Sequence, residues 1–155
     1  MYHIRKAEEK DSSIIMGFIR ELSVFVKSQD QFIGTETQLK AGIFGENAVA
    51  KALILEENNI PVGYALYFYT YSTFLCRTGI FIEDIYISQK YRSKGYGKAL
   101  FTYICNIAKE KGYGRVEWAC LDWNETAIDF YLKLGAEKIA GKKIYRLSHP
   151  FIKKP

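Results

Sequence analysis

Apolar positions along the chain fall into two periods. Runs at Tyr2–Lys6, Ala50–Glu56, Val62–Tyr71, Ile80–Ile87 and Arg115–Leu121 are short and rich in β-branched and aromatic residues, which predicts strands. Ile15, Phe18, Ile19, Leu22 and Phe25 recur three or four apart, as do Leu100, Ile104, Ile107, Ala108 and Lys111, so each set shares one helical face. Ser12 or Ser13 is placed to cap the first helix. A second, weaker helix runs from Thr35 to about Ile43, with Thr35 as cap, Gln38 three residues on, and Gly42 and Gly45 near its end. Glu57-Asn58-Asn59-Ile60-Pro61 reads as a hairpin turn. Gly112 closes the helix that opens at Gly97, Asn124 caps another that runs through Leu134 to Gly135, and Lys138 to Leu147 supplies one or two final strands.

The resulting order β-α-α-β-β-β-α-β-α-β predicts an α/β (α+β) sandwich: a mixed, mostly antiparallel central sheet with one parallel pair, flanked by helices. With 155 residues, 48% of them hydrophobic, the chain is expected to form a single domain over residues 1–155. No linker or repeat interrupts it. No apolar stretch reaches membrane-spanning length, and the start turns acidic at Glu8-Glu9, so neither a membrane partner nor a signal peptide is expected. Cys76, Cys105 and Cys120 are odd in number and never spaced C-x-x-C, which points to a reducing cytoplasm and to no metal site. The net charge of +5 suits an anionic partner. The basic runs, Lys138 to Lys143 and Lys153-Lys154, are short, however, and acids are interspersed elsewhere, so no nucleic-acid groove is expected.

The segment from Glu83 to Leu100 runs strand, glycine-bearing turn, helix start. Gly95 and Gly97 allow the backbone to approach a phosphate, and the helix dipole adds attraction. A dinucleotide fingerprint would need glycine at Leu100; a P-loop would need glycine at Arg92 and Ser or Thr at Ala99. Both fail, and the residues alone favour a plain tight turn.

Arg92-x-x-Gly95-x-Gly97 nevertheless resembles the R-x-x-G-x-G/A motif of the GNAT superfamily of N-acetyltransferases. Asn124-x-x-Ala127-x-x-Phe130-Tyr131-x-x-x-Gly135 resembles that superfamily's later motif, in the right order. Smaller matches at Ile19 to Leu22, Thr35-Glu36, Phe44 to Glu46, Val62 to Tyr71, Glu83-Asp84 and Asp122 to Glu125 are most similar to the diamine (spermidine/spermine-type) acetyltransferases. The resemblance implies acetyl-CoA as co-substrate, with no metal, and direct attack by the primary amine of a small molecule: a diamine, polyamine or amino-acid-like amine. Cofactor contacts are implied at Ile85, Tyr86, Ile87, Arg92, Ser93, Lys94, Gly95, Tyr96, Gly97 and Lys98, and at Asn124, Thr126, Ala127 and Tyr131. Substrate contacts are implied at Glu83, Asp84, Glu117 and Trp118. The relatives also suggest a homodimer.

Under the resemblance Tyr131 is the general acid and Glu83 binds the ammonium and takes its proton. Without it, Tyr131 is a core aromatic. Strand alternation sets Glu83 and Asp84 on opposite faces, so at most one would face the substrate. The side chain of Asn124 is read as a helix cap before a cofactor ligand. Few acids stand on the first helix between Val24 and Gln29, and Ser72 occupies a position where an acid would help a polyamine. That shifts the expectation to a smaller, amino-acid-like amine whose carboxylate meets Lys27 or Arg77. The alternatives are a non-catalytic coenzyme A-binding module and acetylation of a protein amine. His3 and His149 sit near the two termini, which disfavours triad chemistry.

Overall fold

Asn58 and Asn59 both adopt left-handed backbone, with φ of 52° and 63°, the conformation that lets two residues join antiparallel strands without splaying them. In the computed structural model, which describes residues 1–149, this turn links β2 (Ala50–Glu57) to β3 (Ile60–Ser72). β1 (Tyr2–Lys6) lies outside β2, and β4 (Arg77–Ile87) and β5 (Val116–Trp118) follow β3, giving the order β1-β2-β3-β4-β5. All pairs are antiparallel except β4 with β5.

Helices cover both faces. On the first, α1 (Ser12–Phe25) and α2 (Glu36–Phe44) bring Ile15, Phe18 and Ile43 onto Ala52, Ile54, Tyr64 and Tyr86. On the second, Leu100, Phe101, Ile104 and Ala108 of α3 (Tyr96–Glu110) are buried, as are Leu53, Leu55, Ala65, Tyr67, Ile80 and Ile82 of the sheet. The capping box of α2 forms as the sequence predicts: Gln38 N–H donates to Thr35 Oγ1 at 3.3 Å and Thr35 N–H to Gln38 Oε1 at 2.9 Å.

Three expectations are corrected. The cap position of α1 is Asp11, not Ser12 or Ser13. Asp11 is 2% exposed, accepts from both terminal nitrogens of Arg5 at 2.7 and 2.9 Å and from Glu8 N–H at 2.7 Å, and leaves Ser12 in the first turn. The strand expected over Arg115–Leu121 is confined to Val116–Trp118. Among the described residues, Lys138 to Leu147 forms no strand, and Ile139, Ile144, Tyr145 and Leu147 are exposed; alternating apolar residues make a strand only where a neighbouring ladder takes up their backbone groups. The chain divides into two compact units, Met1–Ala119 and one beginning at Cys120, which contains α4 (Glu125–Lys133).

The register of β3 and β4 also overturns the simple alternation at the acidic pair. Leu66 faces Asp84 while Tyr67 faces Ile82, so Glu83 is an extra residue, a β-bulge. Phe81 lies opposite Phe68, their rings 5.3 Å apart, on the face of Leu66 and Tyr64. Counting forward from Phe81 puts Glu83 on that face; counting back from Tyr86 puts Asp84 there too. One inserted residue turns both carboxylates toward the side covered by α1 and α2.

The Arg5 guanidinium beside it holds the Asp11 carboxyl below the usual carboxylate range, against the opposing effect of burial. A lowered folded pKa contributes stability that is present above the unfolded value of about 4 and is lost as pH falls through the folded one. Asp11→Asn should therefore cost about 2–4 kcal/mol in urea unfolding at pH 7, with the gap to wild type shrinking toward pH 3. An equal gap at both pH values would assign the loss to packing.

Candidate active site

The backbone of β4 changes direction at the bulge. Ser88 N–H donates to Val62 O of β3 at 2.9 Å, so Ile87 and, two residues back, Ile85 turn their N–H and C=O groups away from β3. Ile80 N–H donates on that same outer side, to Arg115 O at 3.0 Å. An even-numbered residue before Glu83 and odd-numbered ones after it share this edge only because of the inserted residue. β5 pairs with Ile80, Phe81 and Ile82 alone. From there to Ile87 no strand among the described residues takes up the edge, and the Ile87 carbonyl accepts from Arg92 instead.

The edge leads directly into the glycine turn. Ser93 and Gly95 have φ of 63° and 80° on either side of Lys94, the kind of alternation that gathers successive N–H groups into an anion-binding concavity. Gly95 is the N-cap of α3 and supplies no capping side chain, so the first N–H groups of a 15-residue helix remain available. A Cβ built on Gly95 or Gly97 would meet no atom of the chain within 4 Å. The space over the turn is open, and glycine at 97 is not required by internal packing; the donor set suits a pyrophosphate.

The side chains of this segment mostly serve the scaffold. Arg92 donates from Nε to Ile87 O at 3.0 Å, and its guanidinium lies 4.4 Å from the Phe25 ring centre and 5.3 Å from that of Tyr86. Tyr86 Oη and Ser88 Oγ both donate to Glu21 of α1, at 3.1 and 2.8 Å. Burial, then the Glu21 carboxylate, raises the Tyr86 phenol. Lys94 Nζ reaches Glu57 at 2.8 Å, and the buried Tyr96 donates to the same carboxylate. What this turn offers an anion is chiefly backbone, with Ser93 and Lys98 exposed beside it.

On the first face, Asp84 accepts from Tyr64 Oη at 2.8 Å. Burial raises the Asp84 carboxyl, and the Tyr64 hydrogen bond partly counters this. Burial, then the Asp84 charge, holds the Tyr64 phenol well above its ordinary value, so it is a donor at neutral pH. Glu83 is exposed. Tyr64 was not foreseen as part of the site; the available signal was that a buried phenol needs an acceptor, and the adjacent strand carries one. Glu21 was also missed, since nothing local marks which exposed acid of a helix meets a strand end. Glu117 is engaged by Arg115 Nε at 2.8 Å, and Trp118 packs edge-on against Phe101 at 5.0 Å.

The remaining expected residues lie on α4 in the second unit. Asn124 Oδ1 accepts from Ala127 N–H at 3.2 Å, which is the capping role favoured from the sequence. Thr126 is exposed; Ala127 and Tyr131 are half-buried. Burial, with Cys120 next, raises the Tyr131 phenol, so it holds its proton at neutral pH. Gly135, at φ 87°, follows the helix end.

A model of the acetyltransferase (GNAT) family matches residues 17–136. Thialysine N-epsilon-acetyltransferase of Sus scrofa is 38% identical over 144 residues, which make up 88% of this chain and 84% of that protein. Spermidine/spermine N(1)-acetyltransferase-like protein 1 of Homo sapiens is 27% identical over 153 residues, 94% of this chain and 22% of its own length. In fold, an integron cassette protein from the mobile metagenome of V. cholerae superposes with a TM-score of 0.82 at 23% identity, over 99% of this chain and 96% of that one. The protein is a member of the GNAT acetyltransferase family, in the branch of the diamine and polyamine acetyltransferases.

Proposed function

We propose that this N-acetyltransferase takes its acetyl group from acetyl-CoA and delivers it to the primary amine of a small molecule by direct attack, the whole chain serving as one catalytic domain. The observation that carries this reading is the outward edge of β4 running into the open, positive-φ turn at the start of α3. In it, the pyrophosphate is held by N–H groups of the Ser93 to Lys98 turn, and the pantetheine arm runs along Ile85 and Ile87. When bound, acetyl-CoA supplies an activated thioester carbonyl.

The residues of the chain then divide the work. Attack requires a neutral amine, so the ammonium must first be held and deprotonated. Glu83 and Asp84, turned to one face by the bulge, are assigned the ammonium, and Glu83, the exposed one, takes the proton to solvent. Tyr131 keeps its proton at neutral pH and is assigned its delivery to the departing sulfur. Three free cysteines fit a reducing, cytoplasmic setting. Homodimer assembly is part of the same proposal; it would cover apolar side chains such as Phe74, fully exposed at the end of the β3–β4 hairpin, and sedimentation would test it.

Two measurements test this. Acetyl-CoA should raise the melting temperature by mass action, and Gly95→Val or Gly97→Val should abolish the rise by filling the space over the turn, Gly95→Val also straining a left-handed position. A full shift in both variants would remove the phosphate role from the turn. Tyr131→Phe should preserve the melting temperature and the acetyl-CoA shift while slowing acetyl transfer, followed by thiol release, roughly 10²- to 10⁴-fold. Unchanged single-turnover transfer would mean that another group protonates the sulfur.

A further inference from the structure

Between α1 and α2 the first face of the sheet opens into an apolar groove of about 270 Å³. Met16 and Ile19 of α1, Leu39 and Ile43 of α2, and Phe32 between them line it, and Leu66 of β3 lies along its floor. None of its lining residues is charged. Its polar members, Thr35 and Gln38, meet in the α2 capping box, where Gln38 Oε1 accepts from Thr35 N–H and Oγ1 and Thr35 Oγ1 accepts from Gln38 N–H. Gly42, inside α2, also faces it: a Cβ there would meet nothing within 4 Å. Glycine in a helix interior costs about 0.5–1 kcal/mol relative to alanine, and what it leaves here is open groove.

One lining residue is paired with a charged one. Leu66 is the direct cross-strand partner of Asp84, and residues so paired share a face about 5 Å apart. Asp84, with Tyr64 donating to it and Glu83 beside it in the bulge, therefore stands next to the floor of an apolar trough.

We infer that this groove seats the body of the acceptor and that the acceptor is an arylalkyl monoamine, a primary amine on a short tether to an aromatic ring. The inference rests on the acetyl-transfer reading and narrows it. An apolar cavity of roughly 150 Å³ suffices for a benzene ring, so about 270 Å³ takes a ring and a two-carbon tether. That tether spans the step from Leu66 to Asp84, where the ammonium meets its counter-charge.

The same walls disfavour the other amine classes. A second ammonium, from a diamine or polyamine, would enter a groove with no acid on its lining. An amino-acid carboxylate meets no cation on the lining itself, although Arg20 lies 5.9 Å from the ring centre of Phe32 beside it. Arg77 lies at the opposite end of β4 from the bulge, seven residues from Asp84, or about 20 Å along a strand, too far for one small molecule to bridge.

The test compares kcat/KM for phenethylamine, propylamine, 1,3-diaminopropane and lysine at saturating acetyl-CoA, in wild type and in Gly42→Leu. Phenethylamine should exceed each of the others by roughly tenfold or more, and Gly42→Leu should cut the phenethylamine-to-propylamine ratio by roughly tenfold or more. The acetyl-CoA melting shift reports folding of the variant. Should Gly42→Leu fail that control, Val49→Arg replaces it, placing a charge at a groove residue that is 75% exposed, and it should lower the same ratio. A preference for diaminopropane or lysine, or a ratio that neither variant changes, overturns the inference while leaving acetyl transfer intact. Failure of the wild type to acetylate any amine overturns the parent reading and this one with it.

Discussion

One inserted residue in β4 sets the geometry on which the rest depends. A strand presents its backbone groups alternately to its two neighbours, so the edge that carries Ile80 would continue through even-numbered positions. Glu83 shifts the count, and Ile85 and Ile87 face outward instead. The same shift moves Asp84 onto the face of Tyr64, where the phenol meets it. A single bulge thus generates two features at once: a backbone edge that no strand among the described residues takes up, leading into the glycine turn, and a pair of carboxylates on one face of the sheet. Bulges recur where a strand must re-aim side chains or end its pairing, and both happen here within five residues.

The turn and the first helix are mechanically joined. Arg92 reaches back to Ile87 O and lies over Phe25 of α1, while Tyr86 and Ser88 share Glu21 from the same helix. The motif arginine therefore holds the turn against the sheet and α1, which leaves backbone N–H groups as the main donors for the proposed phosphate site. At the other end of the turn, Lys94 and Tyr96 converge on Glu57 of β2. In the proposed site, a donor set built from backbone and braced on both sides would lose little conformational freedom on binding a phosphate, which is where preorganisation gains affinity. The first face is built differently: a half-buried carboxylate, Asp84, held by the Tyr64 phenol, stands beside an apolar trough.

Much of this was legible in the residues. Thr35 and Gln38 announced their capping box, Asn58-Asn59 their hairpin, and Gly95, Gly97, Gly112 and Gly135 the ends of helices, because each is a local rule satisfied within a few residues. What depended on distant partners was not. Asp11 displaced Ser12 as cap because Arg5, on a strand, claims its carboxylate. The alternating pattern of Lys138 to Leu147 carries no information about whether a neighbouring strand is there to receive it. The bulge was equally silent: no glycine marks it, and Glu83-Asp84 reads as ordinary alternation until the register with β3 is known. Tyr64 looked like one more core aromatic for the same reason, since its acceptor stands 20 residues away in the chain.

Amide hydrogen exchange on β4, residue by residue, tests the central claim most directly, because only outward-facing groups are free to gain protection from a ligand. With saturating acetyl-CoA, the amides of Ile85 and Ile87 should slow by roughly tenfold or more, while those of Asp84 and Tyr86, already paired to β3, should change little. Unaltered exchange at Ile85 and Ile87 under saturation would contradict the assignment of the bulged edge to the acetyl donor.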